Sequence, residues 1–334
     1  MPHELQYQLE QRKFSEPFRI SGYVFEATDL LVVTLRDGEH QGRGEAAGAY
    51  YLGDDVQNMV AVLEKHRAAI EACESRERLR QLLPAGGARN AVDCAWWELE
   101  SSQSGQPAWK LAGFDSVRPI VTTFTVGADT PSRMADAARR YANARAIKVK
   151  LIGEIDLDIA RVAAIRTALP DVWLGVDANQ GFAIGELDRL VEALVEQRVS
   201  LLEQPLARGR EADLDGYRSA IPIAADESAL TLDDVPGLVS RFQVLNIKLD
   251  KCGGLTEALL MVAEARRLGL GVMVGNMTGT SLAMAPAFIV GQHCDFVDLD
   301  GPVFLAEDRQ PSVRYEDGTI WCPDEIWGSG ARVQ

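Results

Sequence analysis

The sequence predicts an α/β protein built on a (β/α)8-type (TIM-like, modified) barrel, with an N-terminal α+β capping domain completed by the C-terminal tail. Three observations carry that expectation. Short β-branched runs alternate with amphipathic helical stretches, the runs recur at a nearly constant interval, and most of them end in a charged residue.

The runs are IVTTFTV (120–126), AIKVKL (146–151), VWLGVD (172–177), VSLLE (199–203), IPIAAD (221–226), VLNIK (244–248), GVMVGN (271–276) and DFVDLD (295–300). Between them lie segments such as LDIARVAAIRTAL and GLTEALLMVAEARRLG, with apolar positions three and four apart, as one buried helix face requires. The last polar residues of the second to eighth runs are Lys150, Asp177, Glu203, Asp226, Lys248, Asn276 and Asp300, with gaps of 27, 26, 23, 22, 28 and 24. Eight strand–helix units at that period describe a barrel. A doubly wound open sheet is disfavoured because no glycine-rich phosphate loop follows the first strand.

The flanks do not follow the barrel period. Residues 1–115 read as an α+β cap, with a β meander over 1–48 and helices over 54–112, and residues 116–302 form the barrel. In the tail, 303–334, SVRYEDGTIWCP reads as a hairpin turning at Asp317-Gly318, packed back on the cap.

Composition narrows the partners. Acidic residues outnumber basic ones by 49 to 34, a net charge of −15 that disfavours nucleic acid and anionic membrane surfaces. No apolar run is long enough to span a bilayer, and the start MPHELQYQLE lacks a signal pattern. The five cysteines are scattered and free of CxxC pairs, which reads as the reduced thiols of a cytoplasmic protein. Four histidines make a multi-histidine metal site improbable. Homo-oligomerisation is left open.

In a barrel of this kind the chemistry sits at the carboxyl ends of the strands. Strands three, four and five end in Asp177, Glu203 and Asp226. Three carboxylates gathered on one rim repel one another unless a cation lies among them, and an all-oxygen ligand set suits a hard ion such as Mg²⁺.

Strands two and six end in Lys150 and Lys248, four strands apart and hence opposite each other across an eight-stranded barrel. A substrate at the axis would have one lysine on each face, as a 1,1-proton transfer requires: one base removes the proton, and the other returns it from the opposite side. Lys148 lies one pleat below Lys150. Two like charges on one strand face normally repel. Here Lys148 and the metal are expected to lower the pKa of Lys150 from ~10.4 toward roughly 7–8, fitting it to act as a base. Asp298 and Asp300 share a face of strand eight and are expected as free carboxylates that grip a cationic group of the ligand, with a barrel-closing salt bridge as the structural alternative.

These residues, in this order, resemble the enolase superfamily, specifically the dipeptide epimerases of its muconate-lactonising subgroup. The resemblance rests on Lys148-x-Lys150, on Lys248 in NIKLDKCGG, on Asp177, Glu203 and Asp226, and on Asp298-x-Asp300 in DLDGP; PAGGARNAVDCAWWEL is similar to a cap helix of that family. It implies an isomerase that inverts the α-carbon of the C-terminal residue of a dipeptide. The substrate carboxylate would chelate Mg²⁺, Lys150 and Lys248 would exchange the α-proton through an enediolate, and Asp298 and Asp300 would hold the α-ammonium. Asn179, Glu227 and Asp250 are expected to orient the metal ligands. The family's best-known reaction interconverts L-Ala-D-Glu and L-Ala-L-Glu in peptidoglycan recycling.

The resemblance also implies cap loops that set specificity, expected near 21–29 and 45–55. They carry Tyr23, Phe25, Tyr50 and Tyr51, with no arginine or lysine beyond Arg19, so an apolar or a cationic second residue is as open as glutamate. The alternative within the subgroup is a lyase or cycloisomerase of the o-succinylbenzoate synthase or muconate cycloisomerase type, whose substrates carry no ammonium for Asp298 and Asp300. A His–Asp base is disfavoured because strand seven ends GVMVGNMTG and His293 precedes strand eight. A silent binding barrel would have lost charged strand ends, and none is missing.

Overall fold

The computed structural model describes residues 3–20 and 23–331. Its cap opens with an antiparallel sheet of β1 (Glu4–Ile20), β2 (Tyr23–Asp37) and β3 (His40–Ala46). Three helices, α1 (Val56–Glu71), α2 (Arg76–Leu82) and α3 (Gly87–Ser104), follow. Alternation along β2 sends Leu31, Val33 and Leu35 to one face, where they meet Leu63, Ile70, Leu79 and Ala95 in a core of the cap's own.

The segment 21–29, expected as a loop, is mostly strand. From Tyr23 onward it is the returning arm of a long β1–β2 hairpin, while Ser21 and Gly22 lie outside the described residues. A register shift between Lys13 and Phe18 bends the hairpin over the barrel rim. Ala128 N–H donates to the Arg19 carbonyl at 3.0 Å, Ala306 N–H to the Lys13 carbonyl at 2.8 Å, and the rings of Phe18 and Phe304 lie 4.7 Å apart. The second expected loop opens on Glu45 and Ala46, the last residues of β3, and is otherwise irregular, with one 3₁₀ turn at Tyr50–Leu52.

The barrel follows. The run IVTTFTV splits at Thr122 into β4 (Ile120–Val121), which belongs to another sheet, and β5 (Thr123–Val126). The remaining strands are β6 (Ala146–Lys150), β7 (Trp173–Asp177), β8 (Leu201–Glu203), β9 (Ile223–Ala225), β10 (Val244–Ile247), β11 (Gly271–Val274) and β12 (Phe296–Val297). They pair in parallel in chain order from β5 to β12, an eight-stranded, nearly closed barrel. Side chains stitch the seam between β12 and β5. Thr123 Oγ1 donates to Asp298 at 2.5 Å, Thr125 N–H donates to Asp300 at 2.6 Å, and Leu299 N–H donates to Thr122 Oγ1 at 3.0 Å.

Inside the barrel, Leu201, Ala224, Val244 and Met273 fill the amino-terminal floor with Trp173 and Phe296. The period of two then lifts the next inward residues of those strands, Glu203, Asp226 and Asn246, to the carboxyl end. The tail forms a hairpin, β13 (Arg314–Glu316) and β14 (Thr319–Trp321), turning at Asp317-Gly318, and β14 pairs with β4. Beyond it, Trp327 Nε1 donates to the Arg43 carbonyl at 2.8 Å and Gly328 N–H to Glu98 at 3.1 Å, so the last residues lie against the cap.

Candidate functional site

Strand register builds the site. β6 and β7 place Lys150 opposite Asp177, and β7 and β8 place Asp177 opposite Glu203. One ligand oxygen each from Asp177, Glu203 and Asp226 lies within 4.8 Å of the others, with all three residues buried. Such a set of hard oxygens fits a divalent ion such as Mg²⁺. Two unsatisfied buried oxygens beside it, Asn179 Oδ1 and Glu227 Oε2, strengthen the fit.

Crowding shows in the acidities. Burial, then the charge of Asp177, pushes Glu203 up to about 8. Glu227 is pushed up to about 7 by burial and by Asp226. Asp177 resists the upward push of burial because Lys150 and Lys148 hold it at about 2. Asp226 is likewise held well below the usual carboxylate range, against burial, by Lys248 and Lys251.

The two lysines on one strand face do not stand as bare neighbours. Lys148 Nζ lies 2.8 Å from Asp298, 2.8 Å from Glu203 and 3.1 Å from Asp177, and Lys150 Nζ lies 2.6 Å from the same Asp177 Oδ2. Three carboxylates match the charge of Lys148. Asp177 lies between the two ammonium groups and offsets the repulsion expected of two lysines on one strand face. On the far side, Lys248 Nζ is 2.7 Å from Asp226 Oδ2. Lys150 and Lys248 therefore flank the carboxylate triad from strands two and six.

Asp298 and Asp300 depart from the expected free carboxylates. Asp298 is engaged by Lys148 and Thr123, both carboxyls are buried, and Asp300 accepts the Thr125 N–H. Their seam-closing partners are threonines and a lysine rather than an arginine. Neither aspartate is among the residues lining the cavity that holds Lys150 and Lys248, and burial, then the charge of Asp298, pushes the Asp300 carboxyl up to about 7.

Asp250 bonds to the cap rather than to a metal ligand. It accepts the Ala47 and Gly48 N–H groups at 2.9 Å each and so anchors the cap loop leading to Tyr50. Asn179 and Glu227 do face the cavity that holds Lys150 and Lys248. Sequence reading missed two residues. Lys251 Nζ, fully buried, donates to Asp226 Oδ1 at 2.6 Å and to its carbonyl at 2.5 Å. Asn246 Nδ2 donates to Glu203 Oε1 at 2.8 Å. Its inward parity on strand six, two residues before Lys248, was the available signal.

The cavity above the triad holds about 250 Å³. Lys150 and Lys248 are at its floor, and Phe14, Phe18, Phe25 and Tyr50 are among its walls. Tyr23 stacks on Phe25 with ring centroids 5.8 Å apart, and Tyr50 packs edge-on to both. Lys150 and Lys248 are the only cationic residues lining it among the described residues. Arg19 lines a separate cavity together with Arg133 and Arg140.

Comparison with known proteins gives a consistent picture. A family model described as enolase C-terminal domain-like matches residues 133–334. The chain is 39% identical over 294 residues to an N-acetyl-D-glutamate racemase of a Pseudoalteromonas species, covering 87% of this chain and 92% of the relative. It is 37% identical over 306 residues to the L-Ala-D/L-Glu epimerase of Escherichia coli, covering 91% and 95%. Among solved structures, a dipeptide epimerase from Methylococcus capsulatus complexed with Mg and L-Arg-D-Lys superposes with a TM-score of 0.91 at 28% identity, covering all of both chains. No helix among the described residues is long and apolar enough to cross a membrane.

Proposed function

The chain belongs to the enolase superfamily and is an isomerase, and on that premise we propose that it is a Mg²⁺-dependent dipeptide epimerase. It would invert the α-carbon of the second residue by two-lysine proton transfer. The observation that carries this reading is the opposition of Lys150 and Lys248 across Asp177, Glu203 and Asp226, each lysine touching the triad from its own side.

Asp177, Glu203 and Asp226 would hold the ion. Bound there, Mg²⁺ supplies a fixed positive field that stabilises negative charge developing on a substrate carboxylate. Lys150 Nζ and Lys248 Nζ serve as base and acid on opposite faces of the α-carbon: one takes the α-proton as the enediolate forms, and the other delivers a proton to the opposite face. Lys248 is held cationic chiefly by Asp226, against burial, so a cation that engages Asp226 would weaken that hold and favour the neutral amine that can act as a base. Lys251 keeps Asp226 in place throughout, through a separate oxygen. The two orphan oxygens, Asn179 Oδ1 and Glu227 Oε2, orient the ion and its surroundings. Asp300, with Asp298 beside it, receives the dipeptide's ammonium.

The second residue is read as uncharged and apolar. Phe14, Phe18, Phe25 and Tyr50 offer aromatic surface, and among the described residues the only cations lining the cavity are the two lysines, both already matched to carboxylates. A side-chain carboxylate would be desolvated there without a partner. The test is a panel of L-Ala-L-Leu, L-Ala-L-Glu, L-Ala-L-Lys and N-acetyl-L-glutamate incubated with the protein and Mg²⁺ in D₂O. Deuterium uptake at the α-carbon is expected, fastest for L-Ala-L-Leu. Uptake confined to N-acetyl-L-glutamate would replace the dipeptide reading by an N-acylamino acid racemase, and no uptake in any compound would remove the epimerase reading.

A further inference from the structure

Lys248 opens a single helical turn, Leu249–Cys252, whose polar side chains go separate ways. Asp250 binds the backbone of the cap at Ala47 and Gly48, and Lys251 binds Asp226. The far end of this turn is gripped by the cap helix α3. Arg89 Nη2 donates to the Cys252 carbonyl, and its Nε donates to the Gly253 carbonyl at 3.2 Å. Its Nη1 donates to the carbonyls of Arg80 and Leu83 at 2.9 and 3.2 Å, which fixes the guanidinium within the cap. Four residues on, Asp93 accepts the Thr256 N–H at 2.9 Å and the Thr256 hydroxyl at 2.6 Å. Four further, Trp97 Nε1 donates to the same hydroxyl at 3.0 Å.

That spacing puts Arg89, Asp93 and Trp97 on one stripe of α3. The chain between their partners is shaped to receive them. Gly253 and Gly254 have φ of 85° and 113°, and a Cβ at the first would overlap the Arg89 guanidinium, one at the second the Asp93 carboxylate. Lys150 is set differently. The N–H groups of Ile152, Gly153 and Glu154 behind it donate to Asp158 Oδ2 at 3.2, 2.9 and 3.0 Å, and Asp158 pairs with Arg161 at 2.6 Å, all within the barrel.

We propose that Arg89 and Asp93 are positioning residues for Lys248, so that the cap sets one of the two bases while the barrel sets the other. The proposal rests on the two-lysine reading above and assigns the cap helix a part in the proton transfer, beyond covering the substrate. A shift of Lys248 by about 1 Å would cost about 10²-fold in proton transfer on its face. The epimer facing Lys150 would be spared.

The experiment uses the full-length protein with Mg²⁺ and both epimers of Ala-Leu, Ala-Glu and Ala-Lys in D₂O, following α-proton loss by NMR. The Lys150→Ala variant first identifies which epimer faces Lys248, as the one whose exchange survives. Asp93→Asn and Thr256→Val, with Arg89→Lys as a stronger change, are then expected to slow exchange of that epimer about 10-fold to 100-fold more than exchange of the other. Asp158→Asn is expected to tilt the ratio the opposite way. Thermal melting and its shift with Mg²⁺ check that each variant is folded, and should Arg89→Lys fail to fold, Asp93→Asn and Thr256→Val carry the test. Equal loss for both epimers, or no loss, in folded variants would overturn the positioning role. Wild-type protein that exchanges neither epimer of any pair would instead overturn the function on which it rests.

Discussion

The Nζ of Lys148 lies 2.8 Å from Oδ2 of Asp298, joining the strand-two lysines to the strand-eight carboxylates across the barrel seam. Through Glu203 and Asp177 the same ammonium reaches two of the three carboxylates of the triad. It acts as the hub of a buried charge network, and its removal has a definite consequence. Lys148→Met leaves several buried carboxylates uncompensated, which is expected to lower the stability of metal-free protein by about 3–5 kcal/mol. A divalent ion then has more negative charge to neutralise, so Mg²⁺ should raise the melting temperature of the variant more than that of wild type. An equal Mg²⁺ response in both proteins would contradict the network.

The triad itself is tested by metal titration. Asp177→Asn, Glu203→Gln and Asp226→Asn should each weaken or abolish the Mg²⁺-dependent rise in melting temperature, and chelation should stop α-proton exchange until Mg²⁺ is restored. Asn179→Ala and Glu227→Gln should weaken the ion's hold by about 10-fold to 100-fold without erasing it. Full exchange in excess chelator would remove the metal from the account.

Asp300 makes a prediction in pH. Its carboxyl, pushed up to about 7 by burial and by Asp298, is neutral below that value and anionic above it. A cationic amino terminus binds the anionic form, so KM for a dipeptide should fall as pH rises through about 7. It should rise again once the dipeptide's own amine loses its proton near ~8. An N-acetylated dipeptide should be a poor substrate without the lower limb of this profile, and Asp300→Asn should flatten that limb for the free dipeptide. Equal turnover of the acetylated compound would contradict the ammonium site.

The aromatic walls give a gain-of-function test. Phe25→Arg would place a cation beside Tyr50 at the cavity wall. The ratio of kcat/KM for L-Ala-L-Glu over L-Ala-L-Leu should rise at least about tenfold, a change of about 1.4 kcal/mol. An unchanged ratio would place the second residue's side chain elsewhere.

The strand ends were legible because period and parity act together: a period of 22–28 residues fixed the strands, and inward parity fixed which residues share the lumen. Lys150, Asp177, Glu203 and Asp226 all follow from that rule. The residues around Lys248 do not, because they lie on a helical turn where successive side chains diverge by about 100°. Asp250 therefore points to the cap backbone and Lys251 to Asp226, destinations that no strand parity reveals. The meander over 1–48 was legible, but the extension of β2 through 23–29 was hidden for another reason. Residues 23–29 carry strand-forming Tyr23, Val24 and Phe25, but the sequence offers no partner for them until the bend after Lys13 brings Phe18 and Arg19 alongside. Pairing between Asp298 and Lys148 is equally non-local, joining residues 150 positions apart.

The central claim is that Lys150 and Lys248 stand on opposite faces of one α-carbon. The most direct measurement follows the α-proton of L-Ala-L-Leu and L-Ala-D-Leu separately in D₂O by NMR, with Lys150→Ala and Lys248→Ala variants in the presence of Mg²⁺. Each variant is expected to lose epimerisation in both directions yet retain α-proton exchange for one epimer, and the retained epimer should differ between the two variants. Equal residual exchange of both epimers in either variant would contradict the opposed-lysine arrangement.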